Sequence, residues 1–184
     1  MEPRELLKRY FGHSTFRPGQ QALIDGLLAG RDVLGVMPTG AGKSMCYQIP
    51  ALAMEGMTLV ISPLISLMAD QVAALNQAGV PAAYLNSALD LEAYQEGLHG
   101  IRQGMYRLLY VAPERLTAPA FLAALGRVSV SLVAVDEAHC VSQWGQDFRP
   151  SYLKIPEFLE QLPVRPVMGA FTATATAQVK EDII

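Results

Sequence analysis

The chain has 184 residues, 51% hydrophobic and 17% charged, with 14 Lys+Arg against 17 Asp+Glu. That is enough chain for one compact core and too little for two, too apolar for wholesale disorder, and, at a net charge of −3, no polycation. A basic groove on one face stays open. Cys46 and Cys140, the two cysteines, stand far apart with no Cys or His partner at finger-like spacing except His139. Reduced thiols of an intracellular protein are therefore expected, not a disulfide frame or a structural zinc site.

The first residues, Met1-Glu-Pro-Arg-Glu-Leu-Leu-Lys-Arg, have no apolar stretch of signal type. The most apolar windows, 57–67 and 128–135, are broken by Ser and Pro or end at Asp136, short of the roughly 20 residues a spanning helix needs. A soluble domain with no membrane partner is expected.

In chain order, residues 18–29 read as a helix with Pro18 in its first turn and Gly30 past its end. Residues 32–37 form a short apolar run feeding a glycine turn, and 43–54 a helix that Pro50 bends or ends. Strand 57–61 and helix 64–78, closed by Gly79, come next. Runs 107–112, 130–135 and 166–171 are further buried strands, and 175–184 reads as a helix stopped in mid-course, as in a cut chain. Strand and helix alternating at this spacing predict right-handed βαβ units: an α/β domain with a mainly parallel sheet and helices on both faces. Ligands of such sheets lie beyond the carboxyl ends of the strands.

Met37-Pro-Thr-Gly-Ala-Gly-Lys-Ser comes after a strand and opens a helix, the context of a phosphate loop. Gly40 and Gly42 let the backbone N–H groups around Thr39 and Ala41 converge on phosphate oxygens, and the helix end adds its dipole. Lys43 would reach the β- and γ-phosphates of a nucleotide and the Ser44 hydroxyl would ligate Mg²⁺. The strict pattern begins with glycine; here Met37 stands in its place. A plain glycine turn with a surface lysine is the simpler alternative.

The run 130–135 ends in Asp136-Glu-Ala-His139. Two acids at the end of a buried run need a cation. Asp136 would hold the metal and Glu137 would orient and deprotonate the attacking water; an acidic helix cap is the other reading. His139 either relays the nucleotide state or sits packed as a satisfied histidine.

With these acids added to the phosphate loop, the chain resembles superfamily 2 helicases, and the surrounding blocks narrow the resemblance to the RecQ family of DNA helicases. Phe11-Gly-His-Ser-Thr-Phe-Arg-Pro-Gly-Gln20 is similar to that family's adenine motif, Ser62-Pro-Leu-Ile-Ser-Leu-Met-Ala-Asp-Gln71 to motif Ia, and Tyr110-Val-Ala-Pro-Glu-Arg-Leu116 to the block after it. Ser142-Gln-Trp-Gly-Gln-Asp-Phe-Arg-Pro150 resembles the aromatic-rich loop that sets the family apart, and Phe171-Thr-Ala-Thr-Ala175 resembles motif III. Two positions depart from the family: His13 stands where an aromatic residue stacks on adenine, and Gln146 where His is common.

The resemblance implies the first RecA-like lobe of an ATP- and Mg²⁺-dependent 3′–5′ DNA helicase, a monomer that works with a second lobe on single-stranded and branched DNA, in the cytoplasm or the nucleus. His13, Arg17 and Gln20 would hold adenine, although Arg17 and Gln20 also suit the polar first turn of an exposed helix. Trp144, Phe148 and Arg149 crowd polar sequence just after the acids; such groups stack on unpaired bases or anchor a loop to the core. Ser62 and Ser66 would hold a DNA phosphate or cap a helix. Thr172 and Thr174, with His139, would sense the nucleotide state. A nucleotide- or DNA-binding module without turnover is the competing expectation.

Overall fold

The computed structural model describes residues 1–37, 42–142, 148–173 and 177–184. Its α-helices are α1 (Pro3–Leu6), α2 (Gln20–Leu28), α3 (Met45–Ala53), α4 (Ile65–Gln77), α5 (Leu91–Arg102), α6 (Pro119–Leu125), α7 (Ile155–Glu160) and α8 (Ala177–Ile183). The strands are β1 (Val33–Val36), β2 (Met57–Ile61), β3 (Ala82–Leu85), β4 (Leu108–Val111), β5 (Val130–Val135) and β6 (Val167–Thr172). They form one sheet in the order β1-β6-β5-β2-β4-β3, and each neighbouring pair is parallel. The expected parallel α/β sheet is what the chain builds.

Side chains of a strand alternate between faces, and the core divides accordingly. Met57, Leu59 and Ile61 of β2, Leu109 and Val111 of β4, and Val133 and Val135 of β5 pack with α5, α6 and α7. Their neighbours Val60, Leu108, Tyr110, Leu132 and Ala134 face the other way, onto α2, α3 and α4. Both faces of β2 are buried throughout, which is why that strand reads as a continuous apolar run. Truncating a wholly buried centre such as Leu59 to Ala costs about 2–5 kcal/mol.

Two helix boundaries differ from expectation. Pro18 lies in the turn before α2, which begins at Gln20 after Gly19 in the left-handed region. Of the two expectations for Pro50, that it ends the helix is excluded: α3 runs on to Ala53, within a residue of the expected end. Pro50 has no N–H for the carbonyl four residues back, a cost the helix bears because residues 46–51 are all buried, so packing outweighs propensity. The entry to α3 is tightened by i→i+3 bonds from Met45, Cys46 and Tyr47 to Gly42, Lys43 and Ser44, so the helix proper starts two residues after Lys43. Among the described residues no helix is long and apolar enough to cross a membrane, and Cys46 and Cys140 are buried and form no disulfide.

Candidate functional site

The sheet order places β1, β6, β5 and β2 side by side, so the segments beyond their carboxyl ends gather along one rim. Gly42, Lys43 and Ser44 come after β1, Thr172 ends β6, Asp136 and Glu137 come directly after β5, and Ser62 directly after β2. Residues far apart in sequence meet there for that reason.

At the centre, the Lys43 ammonium lies 3.2 Å from Asp136 Oδ1 and 3.1 Å from Glu137 Oε1. One cation is thus shared between two largely buried carboxylates. Burial pushes the Asp136 carboxyl above its ordinary range, Lys43 opposing that and Glu137 adding to it. Burial alone would lower Lys43, but the two carboxylates outweigh it and hold its pKa above the usual value.

The backbone of the acids is tightly held. Asp136 N–H donates to the Ile61 carbonyl (2.9 Å), Asp136 Oδ1 accepts from Glu137 N–H (2.9 Å), and the Asp136 carbonyl accepts from the Tyr152 hydroxyl (2.8 Å). Glu137 has φ +52°, the only positive φ of a non-glycine among the described residues. A left-handed conformation costs about 1–2 kcal/mol and persists only where the surroundings over-determine it. The left-handed turn brings Glu137 Oε2 to 3.6 Å from His139 Nδ1, and the same ring nitrogen is 2.8 Å from the hydroxyl of wholly buried Thr172.

The adenine-motif residues divide. His13 and Arg17 are exposed, whereas Gln20 is buried. Gln20 Oε1 accepts from Arg17 N–H (2.7 Å) and its Nε2 donates to the Gly42 carbonyl (2.8 Å), tying this segment to the residue just ahead of Lys43. Gly42 has φ +79°, and a Cβ there would come within 2.3 Å of Gln20 Nε2, so the position requires glycine twice over. Ser44 caps the entry of α3 without a side-chain bond.

Ser62 is buried, and its hydroxyl accepts from Leu64 N–H (3.2 Å), a turn ahead of α4; Ser66 is exposed in the first turn of that helix. Phe148 and Arg149 are half-buried, and Arg149 N–H donates to the Cys140 carbonyl (2.9 Å). Thr39, Gly40, Ala41, Trp144, Gln146 and Thr174 lie outside the described residues. Two contributors escape sequence reasoning: Tyr152, and Asp182 of α8, which accepts from the hydroxyl of buried Ser142. No local pattern announces either, since each partner is distant in the chain.

Residues 17–183 match the family model of the DEAD/DEAH box helicases. The chain is 52% identical over 181 residues to the ATP-dependent DNA helicase RecQ of Bacillus subtilis (strain 168), covering 98% of this chain and 31% of that protein. It is 48% identical to the protein of the same name from Pasteurella multocida (strain Pm70), covering 98% and 28%. Against the probable ATP-dependent DNA helicase RecS of Bacillus subtilis (strain 168) it is 44% identical, covering 98% and 36%. The chain therefore spans about a third of the length of these curated relatives. Among solved structures, a hypothetical ATP-dependent RNA helicase from Sulfolobus tokodaii superposes with a TM-score of 0.75 at 23% identity, over 98% of this chain and 53% of that one. The likeness establishes a RecA-like helicase fold.

Proposed function

This chain belongs to the DEAD/DEAH box helicase family, and on that premise we propose that it is the first motor lobe of a RecQ-type, ATP-dependent 3′–5′ DNA helicase. Residues 1–184 form that lobe; a second lobe completes the motor, which acts as a monomer on single-stranded and branched DNA, in the nucleoid of a bacterium or the nucleus of a eukaryote. The observation that carries the reading is the Lys43 ammonium held between Asp136 and Glu137 on a chain that is 52% identical to a RecQ helicase.

The donor set fits a nucleotide with its metal. Two carboxylates share one cation, and burial disfavours the ionised form of Asp136, so the rim favours a further positive charge. Asp136 and the Ser44 hydroxyl would hold Mg²⁺, which when bound neutralises phosphate charge. Lys43 exchanges its carboxylate partners for phosphate oxygens, with the backbone of Thr39, Gly40, Ala41 and Gly42 cradling them. Gln20, with His13 and Arg17, receives adenine. Glu137 holds the attacking water and takes its proton. His139 with Thr172 and Thr174 reads the nucleotide state, and Trp144, Phe148 and Arg149, with Ser62 and Ser66, bind the strand and couple it to the rim.

In the two-lobe protein, Glu137→Gln keeps the shape and loses the base. Nucleotide affinity is expected to hold while DNA-stimulated ATP turnover falls by about a hundredfold or more. Near-parental hydrolysis would place the base elsewhere, and stimulation by RNA in preference to DNA would overturn the choice of strand.

A further inference from the structure

We propose that Tyr152 is a positioning residue for hydrolysis, acting through the peptide bond between Asp136 and Glu137; the assignment rests on the reading of Glu137 as the base. That peptide is fixed at both ends. Its N–H is bonded to the Asp136 carboxylate at 2.9 Å and its carbonyl oxygen to the Tyr152 hydroxyl at 2.8 Å. The orientation of this peptide plane sets ψ of Asp136 and φ of Glu137, and the latter is held at +52°. Left to itself, a glutamate relaxes to negative φ. Relaxation would turn the Glu137 side chain away from Lys43, now 3.1 Å distant, and from His139 at 3.6 Å. The hydroxyl therefore holds the carboxylate in its aim.

A buried tyrosine needs some acceptor, and a merely satisfied hydroxyl is the simpler account. Two features argue for more. The acceptor chosen is the single carbonyl that precedes the only left-handed non-glycine among the described residues. Tyr152 also belongs to the turn at Pro150–Lys154, directly after Phe148 and Arg149, and its N–H donates to the Arg149 carbonyl at 3.0 Å. Its ring is wholly buried against the sheet face that carries α7, so the hydroxyl has little freedom to swing away. The segment proposed to feel the strand thus holds the peptide that aims the base.

Tyr152→Phe removes the donor and leaves the ring. In the two-lobe protein with saturating single-stranded DNA, kcat is expected to fall about tenfold to a hundredfold, the cost of a small misplacement of a reacting group. KM for ATP, and nucleotide affinity measured by calorimetry, should stay within about twofold, since the contact lies on the base and not on the phosphates. The thermal midpoint should drop by no more than about 2–4 °C, as for one hydrogen bond in a domain of this size. Combined with Glu137→Gln, the substitution should cost nothing further in kcat. Unchanged kcat, an equal loss in both backgrounds, or a collapse of the thermal midpoint would each overturn the assignment. Full turnover by Glu137→Gln alone would overturn the reading of the base and this inference with it. A Glu137→Gln variant that is inactive beside a Tyr152→Phe variant of parental kcat would overturn the inference only.

Discussion

Lys43 answers two carboxylates at once, so its removal is felt by both. Lys43→Met leaves Asp136 and Glu137 facing each other with no cation between them. Removing one partner of a fully buried pair costs about 3–5 kcal/mol, and at this partly solvated rim about 1–2 kcal/mol is expected. Because the folded pKa of Lys43 lies above 10.5, its contribution to folding is complete below that value and is lost as pH rises through the raised one. The gap in thermal midpoint between parent and Lys43→Met should therefore be flat from about pH 7 to about pH 10 and narrow at higher pH; a gap that narrowed around neutrality would contradict the pairing. Lys43, Asp136 and Glu137 were legible in the sequence because each stands in a short pattern just past a strand. The bond from Gln20 to Gly42 and that from Tyr152 to Asp136 were not, because a polar side chain carries no mark of which distant carbonyl the fold will bring to it.

Asn76, near the end of α4, grips the first residue of an edge strand. Its amide donates to the Ala82 carbonyl (3.1 Å) and its Oδ1 accepts from Ala82 N–H (2.9 Å), much as a neighbouring strand would. Asn76→Ala should cost about 1–3 kcal/mol and show first as faster amide exchange in β3, while β5 at the centre of the sheet keeps its protection. Uniform loss across the sheet would mean that the clamp serves global stability only. β3 is also the strand that the sequence reading passes over. Ala-Ala-Tyr-Leu has no β-branched residue, so its state is decided by pairing with β4 and by this clamp, not by propensity. Strands β2 and β5 coincide with the apolar runs at 57–61 and 130–135, because burial on both faces imprints a continuous signal. Helix α5 was readable in principle: Asp90 caps it by accepting from Ala93 N–H (2.8 Å), and Leu98 and Ile101 supply its buried face.

The residues proposed to hold nucleotide and the proposed base all stand on this one chain, whereas the charge that develops in a phosphoryl-transfer transition state is neutralised by an arginine finger worth roughly 10³–10⁵ in rate, which the proposed second lobe would supply from across a cleft. The chain by itself is therefore expected to bind ATP with slow, DNA-insensitive turnover and no strand separation. Joining the second lobe should raise turnover by about 10³-fold or more; robust unwinding by residues 1–184 alone would refute the half-motor reading. The strand order has its own effect in time. In the sheet β1 touches only β6, and β6 separates it from β5. During synthesis β1 is expected to have no strand to pair with, and the gap beside β5 to stay open, until β6 is made. Until then the Lys43 segment is held from one side only, by α3 packed on β2 and β4, and lacks the strand that fixes its other end, so the meeting of Lys43 with the two acids is expected to sharpen once β6 is in place. The rim is thus expected to reach its final geometry in one late step, with the insertion of β6 between β1 and β5.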